Sequence, residues 1–149
     1  MREIKFRAKT NNLDENIFIY GFYVRNDSYD GHETHEMYYP DDNSNPIDPK
    51  TLGQYTGLKD KNGMDIYEGD ILEFEDVAEE GYEYVEGYDF TNRAIVVYRN
   101  ARFELEAITE SESAIFEDMR HCHDDFLGIF KISKVIGNIY DNLGLLEKG

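Results

Sequence analysis

The run Gln54-Tyr55-Thr56-Gly57-Leu58-Lys59-Asp60-Lys61-Asn62-Gly63-Met64-Asp65-Ile66-Tyr67-Glu68-Gly69-Asp70-Ile71-Leu72-Glu73-Phe74 decides the architecture. Gln54-Tyr55-Thr56 is extended, and Lys59 to Gly63 is turn chemistry, with Asn62-Gly63 supplying the positive φ that glycine adopts at least steric cost. Asp65-Ile66-Tyr67 leads to Glu68-Gly69-Asp70, a second sharp turn, and Ile71, Leu72 and Phe74 open a buried strand. Short strands separated by tight turns must stack or close to hide their edges. The expectation is a mainly β fold.

Downstream, Ala94–Tyr98 and Phe103–Ala107 read as two strong strands joined tightly through Arg99-Asn100-Ala101. Residues 111–119 read as one short helix, with Ser111 or Ser113 as N-cap and Ile115, Phe116 and Met119 on one side. Gly128–Lys131 and Val135–Tyr140 read as the last strands, before a polar tail carrying Leu143, Leu145 and Leu146. Upstream, residues 2–8 alternate Ile4, Phe6 and Ala8 with Lys5 and Arg7, the pattern of a half-buried strand. Residues 17–24 are apolar on both faces and suit a central strand, the two forming a hairpin. Residues 25–50 hold all three prolines and three turn-forming clusters, and read as a long loop with one short strand near Met37-Tyr38-Tyr39. The expected organisation is one domain over 1–149. It comprises an N-terminal hairpin and long loop at 1–53, a barrel-like core at 54–141 and a tail at 142–149.

Composition bounds the function. With 149 residues, 12 Tyr and 9 Phe, the chain has the apolar area to fold without metal or disulfide. A single cysteine, Cys122, excludes an internal disulfide and suits a reducing compartment. No signal peptide or run of roughly 20 apolar residues is present, so a cytoplasmic location is expected. Fifteen Lys and Arg against 32 Asp and Glu give a net charge of −17. That charge opposes direct binding to nucleic acid and to anionic membranes, whose affinity comes from basic side chains. A basic protein partner fits it.

Three segments resemble the YopX family of phage and prophage proteins. They are Met1-Arg2-Glu3-Ile4-Lys5-Phe6-Arg7-Ala8, the run from Gln54 through Ile71, and Val135-Ile136-Gly137-Asn138-Ile139-Tyr140-Asp141-Asn142 with Leu145-Leu146-Glu147. The chain departs from the family pattern at Lys9 and Thr10, where members commonly carry Trp-Asp. The resemblance implies a phage or prophage origin and a compact β fold with an SH3-like barrel in the second half. It implies no activity and no catalytic residue. Turn formation alone accounts for the matching Gly and Asp residues, Asp70 through an Asx-type turn bond.

Two clusters carry candidate chemistry. His32 pairs in sequence with His35 beside Glu33 and Glu36, and His121 pairs with His123 around Cys122 beside Asp124 and Asp125. Imidazole, thiolate and carboxylate are zinc ligands, which makes His121, His123 and Asp124 the candidate metal set and a metal-dependent hydrolase the competing function. The spacings match no established zinc motif. A Cys122–His123–Asp nucleophile is weaker, because sequence neighbours seldom have nucleophile–base geometry. The other cluster is the acidic stretch 73–90, with eight carboxylates, no Lys or Arg, and interleaved Tyr82, Tyr84, Tyr88 and Phe90. Runs of like charge are commonly solvated loops. Read as function, Glu75, Asp76, Glu79, Glu80, Glu83 and Glu86 are the expected partner-binding residues, in one version as a DNA mimic. The preferred expectation is a non-enzymatic accessory protein that binds a macromolecule, forms a homo-oligomer and needs no cofactor.

Overall fold

The computed structural model describes residues 1–12, 14–40, 43–75, 91–108 and 123–147, with side chains from 127 onward in the last segment. The described chain is mainly β, with two antiparallel sheets and one short helix. It divides into two compact units, residues 1–57 and 58–149.

In the first unit, β1 (Phe6–Lys9) pairs with β2 (Phe18–Asp27), which pairs on its other side with β3 (Glu33–Tyr38), followed by β4 (Ser44–Pro46). β5 (Gly53–Lys59), which runs across the division at residue 57, lies along the free side of β1, and the order of this sheet is β4-β3-β2-β1-β5-β6, where β6 (Asp65–Tyr67) falls within residues 58–149. Alternation puts Ala8, Ile19 and Met37 on one face, where with Ile47 they form the core, packed by Phe6, Tyr23, Tyr39 and Leu52. The opposite face of β1 carries Arg7 and Lys9, which are also buried. Their cationic heads lie 4.5 and 4.9 Å from the Phe18 ring centroid, and Lys9 Nζ donates to the Asn16 carbonyl at 3.1 Å. Aromatic faces and carbonyls thus take the place of water around these charges. The backbone N–H of Lys9 donates to Thr51 Oγ1 at 2.8 Å, tying β1 to a 3-10 turn at Pro49–Thr51 that Asp48 caps.

In the second unit, β7 (Asp70–Glu75) lies between β10 (Lys134–Asn138) and β8 (Thr91–Arg99), and β9 (Arg102–Ala107) completes the order β10-β7-β8-β9. Ile66, Leu72, Val96 and Phe130 form the main core, with Leu58, Phe103, Leu105 and Val135 around it. Phe74, Ala94 and Ile129 form a second cluster that shares Leu105. Ile129 and Phe130 come from helix α1 (His123–Ile132). Among the described residues this sheet is open, with β10 and β9 as its edges, so the closed SH3-like barrel is not seen there.

Two expectations are corrected. Residues 25–50 are more regular than a long loop: β2 continues to Asp27, and β3 and β4 pair onto it. The outer part of this ladder carries Arg25, Asp27, Glu33 and His35, so the sequence shows no apolar alternation there although the backbone is paired. Gly128–Lys131 is helical, not a strand. Ile129, Phe130 and Ser133 are buried and Gly128 and Lys131 exposed, a helical stripe that a short apolar run does not distinguish from a strand. The helix expected at 111–119 lies outside the described residues.

The β8–β9 connection is a two-residue turn in which Asn100 and Ala101 both have positive φ, 53° and 61°. This mirror-image turn matches strand twist, but alanine is a poor occupant of its second position. Ala101→Gly is expected to raise stability by about 0.5–1 kcal/mol, since relief of the left-handed strain exceeds the added chain entropy. A rise in the urea midpoint would show it. A fall would mean that the turn does not adopt this conformation.

Candidate functional site

The described part of the acidic stretch begins on β7. Glu73 stands opposite Arg93 on β8 and the two form an ion pair at 3.0 Å. Glu75, the last residue of β7, is exposed and makes no ion pair among the described residues. Its Cα partner is Thr91. Asp76, Glu79, Glu80, Glu83 and Glu86 lie in the segment 76–90, outside the described residues.

Charge is unevenly divided between the units. Residues 1–57 hold six basic and ten acidic side chains, a net −4, and residues 58–149 hold nine and 22, a net −13. The described arginines of the second unit, and Lys59, are engaged by its own carboxylates. Lys59 pairs with Asp65, Arg99 with Glu104 and Glu106, and Arg102 with Glu104. Hydrogen bonds from the Arg99 and Arg102 guanidiniums hold the Glu104 carboxyl down at about 2.

Of the candidate metal set, His121 lies outside the described residues. His123 and Asp124 are the first two residues of α1. Among the described residues no group of three or more His, Cys, Asp or Glu side chains could hold a metal ion. His32 and His35 have separate partners. His32 sits in the β2–β3 turn, where its backbone N–H donates to Ser28 Oγ at 3.1 Å. His35 lies on β3 with Nδ1 2.7 Å from the Tyr23 hydroxyl and Nε2 2.8 Å from Glu33. Arg25 then reaches Glu33 at 3.1 Å and Asp27 at 3.0 Å.

This chain of contacts uses both imidazole nitrogens. Tyr23 and Glu33 thus occupy the two ring positions that an imidazole offers to partners. The arrangement fastens the two strands together and leaves no lone pair for a ligand. Sequence reading noted His35 and Glu33 but missed Tyr23 and Arg25. The signal was the shared parity of 33, 35 and 37 opposite 27, 25 and 23, which becomes legible once the hairpin register is known.

The Gln54–Phe74 run contributes two buried carboxylates. Asp60 Oδ1 accepts from the backbone N–H groups of Asn62 and Met64 at 2.8 and 2.9 Å, and its Oδ2 accepts from Val135 at 3.0 Å. Burial works to raise this carboxyl, but the three backbone donors and the Lys61 charge outweigh it and leave it below its ordinary value. Asp70 Oδ2 accepts from the backbone of Tyr67 at 2.8 Å. The bond runs back towards the preceding strand, the reverse of an Asx turn, across Gly69 with φ +88°. Gly69 is fixed from both sides, its N–H donating to the Val96 carbonyl at 2.8 Å and its carbonyl accepting from Ile139 at 2.9 Å. These residues join the turns of the second unit to β8 and to the β10 region. Their evident work is structural.

A comparison with solved structures returns a similarity to the crystal structure of protein EF1440 from Enterococcus faecalis, with 24% identity over 99% of this chain and 100% of that chain and a TM-score of 0.45. A comparison with curated proteins gives no match. The family model described as YopX protein matches residues 5–147. That span takes in the clasped turns around Asp60 and Asp70, both sheets and the helix, and the chain belongs to the YopX family.

Proposed function

We propose that this protein is a non-enzymatic accessory protein that binds a macromolecular partner through the acidic surface of its second unit. A protein with a basic surface is the partner chemistry that fits. The observation that carries the reading is the charge of −13 on residues 58–149, where the described arginines are already taken up by their own carboxylates. Excess carboxylate left unneutralised attracts a basic surface and speeds its encounter. Glu75 opens the contact surface, and Asp76, Glu79, Glu80, Glu83 and Glu86 continue it along the sequence. Origin in a phage or prophage, action in the bacterial cytoplasm, assembly as a homo-oligomer and an SH3-like second half belong to the same reading.

Affinity capture from bacterial lysate at low and high salt tests it, with a variant in which those six residues become Gln or Asn as control. The expected result is a basic protein retained at low salt, released at high salt and absent from the variant's capture. Equal retention by the variant, or no enriched protein, would overturn the assignment to this surface.

A further inference from the structure

The β5–β6 turn contains Asn62-Gly63, the residue pair with the least steric obstacle to cyclisation through the backbone. Attack by the following peptide nitrogen on an asparagine side chain is slowed by any Cβ on the attacking residue, and glycine has none. Asn62 and Gly63 are both exposed, Gly63 has φ +80°, and open space surrounds the position of a Cβ there. The Asn62 carboxamide makes no hydrogen bond among the described residues. Chemically the site is open.

Its geometry is nevertheless held against reaction. The Gly63 N–H, whose nitrogen would be the nucleophile, donates to the Asp60 carbonyl at 3.0 Å. The Asp60 carboxylate grips the N–H groups on either side of it, those of Asn62 and Met64. The turn is anchored further by Asp60 N–H to the Met64 carbonyl at 2.8 Å, Lys61 N–H to Ser133 at 2.9 Å and Val135 N–H to Asp60 Oδ2. Cyclisation needs the Gly63 nitrogen turned towards the Asn62 side chain, which requires these bonds to open together.

We propose that Asn62 is a latent deamidation site, kept closed by the Asp60 clasp and released when that clasp opens. In the reaction the Gly63 nitrogen loses its proton and bonds to Asn62 Cγ. The Cγ–Nδ2 bond breaks, and ammonia departs with that proton. The resulting succinimide takes up water at either carbonyl, giving aspartate or its isoaspartyl isomer. Either product adds one negative charge beside Asp60 and Asp65. The isoaspartyl form also lengthens the backbone within the turn, which shifts the pairing of β5 and β6.

The test follows the mass gain and isoaspartyl content of the peptide holding residues 62–63 in mildly alkaline buffer. Wild-type protein is incubated folded, and unfolded in guanidinium chloride. The folded chain is expected to react at least about tenfold more slowly, because the reactive geometry is reached only from a locally opened turn. Asp60→Asn, checked by circular dichroism to be folded, is expected to react faster than folded wild type. Equal rates in folded and unfolded wild type would overturn the proposal, and so would an unchanged rate in folded Asp60→Asn. Should that variant not fold, hydrogen exchange of the Gly63 and Met64 amides in wild type decides. Slow exchange supports the clasp and unprotected exchange overturns it.

Discussion

Truncating Asp60 to alanine is expected to lower the free energy of unfolding by about 3–5 kcal/mol. The residue is 6% exposed and its carboxylate satisfies three backbone donors at 2.8–3.0 Å. Two of those donors shape the β5–β6 turn. The third, Val135, lies on β10 opposite Leu72 of β7, 75 residues from Asp60 in sequence. The variant leaves the Val135 N–H without its acceptor beside the buried Phe130 and Ser133. Hydrogen bonds to charged acceptors contribute about 1.5–3 kcal/mol each, and partial access of water to the turn donors reduces their sum. Urea unfolding reads the loss. A change under about 1 kcal/mol would mean that water replaces the carboxylate and that the clasp is not a stabilising element.

The same group sets an acid dependence of known sign. Its pKa in the folded chain is below the ordinary 3.8. The stabilisation is therefore complete above that ordinary value and is lost as pH falls through the folded value. Asp60→Asn keeps one acceptor oxygen and loses the ionisation, so below about pH 4 its melting temperature is expected to fall less steeply than that of wild type. Other carboxylates, Glu104 among them, titrate in the same range, so the difference between the two proteins is the readout. Parallel acid limbs would assign the dependence to those other groups.

Legibility in the sequence followed chemistry that is local. The turns at Asn62-Gly63 and Glu68-Gly69-Asp70 and the β8–β9 hairpin were readable because glycine, asparagine and aspartate at fixed offsets specify a turn without knowledge of what packs on it. The central place of β2 was readable because its residues are apolar on both faces. Of β3 only the end near Met37-Tyr38 was readable, because Glu33 and His35 share the parity of the core residue Met37 and are satisfied by Arg25 and Tyr23 on the neighbouring strand. That complementarity exists only after pairing. α1 was misread for another reason: Ile129 and Phe130 are adjacent, and two adjacent buried residues fit a covered strand as well as a helix. For the acidic surface, the sequence shows the charge. It does not show that Glu73 is spent on Arg93 while Glu75 stands exposed, which depends on the β7–β8 register.

The second large effect is expected at Gly21, in the middle of β2. A Cβ there would lie 2.2 Å from the carbonyl oxygen of Tyr38 and 3.1 Å from its carbonyl carbon, with Met37 Cγ at 3.4 Å. The obstructing atoms are backbone, so no side-chain rotation relieves the clash and β3 itself must move. Moving β3 disturbs the register from Phe22 opposite Tyr38 to Asp27 opposite Glu33, and Met37 with it. Met37 is fully buried in the core of the first unit, so the strain reaches the packing of Ala8, Ile19 and Ile47. Gly21→Ala is expected to cost about 2–3 kcal/mol, the range of overpacking where backbone must shift. Gly128→Ala is the matched control, at an exposed position of α1 with nothing within 4 Å of the added carbon. There the same substitution is expected to stabilise by about 0.5–1 kcal/mol, since alanine is the better helix former. Opposite shifts of the urea midpoint would establish that β3 closes directly over Gly21. If Gly21→Ala were neutral, the β2–β3 ladder could not approach as closely as 2.2 Å at this point, and the contacts joining Tyr23, His35 and Glu33 would have to loosen with it.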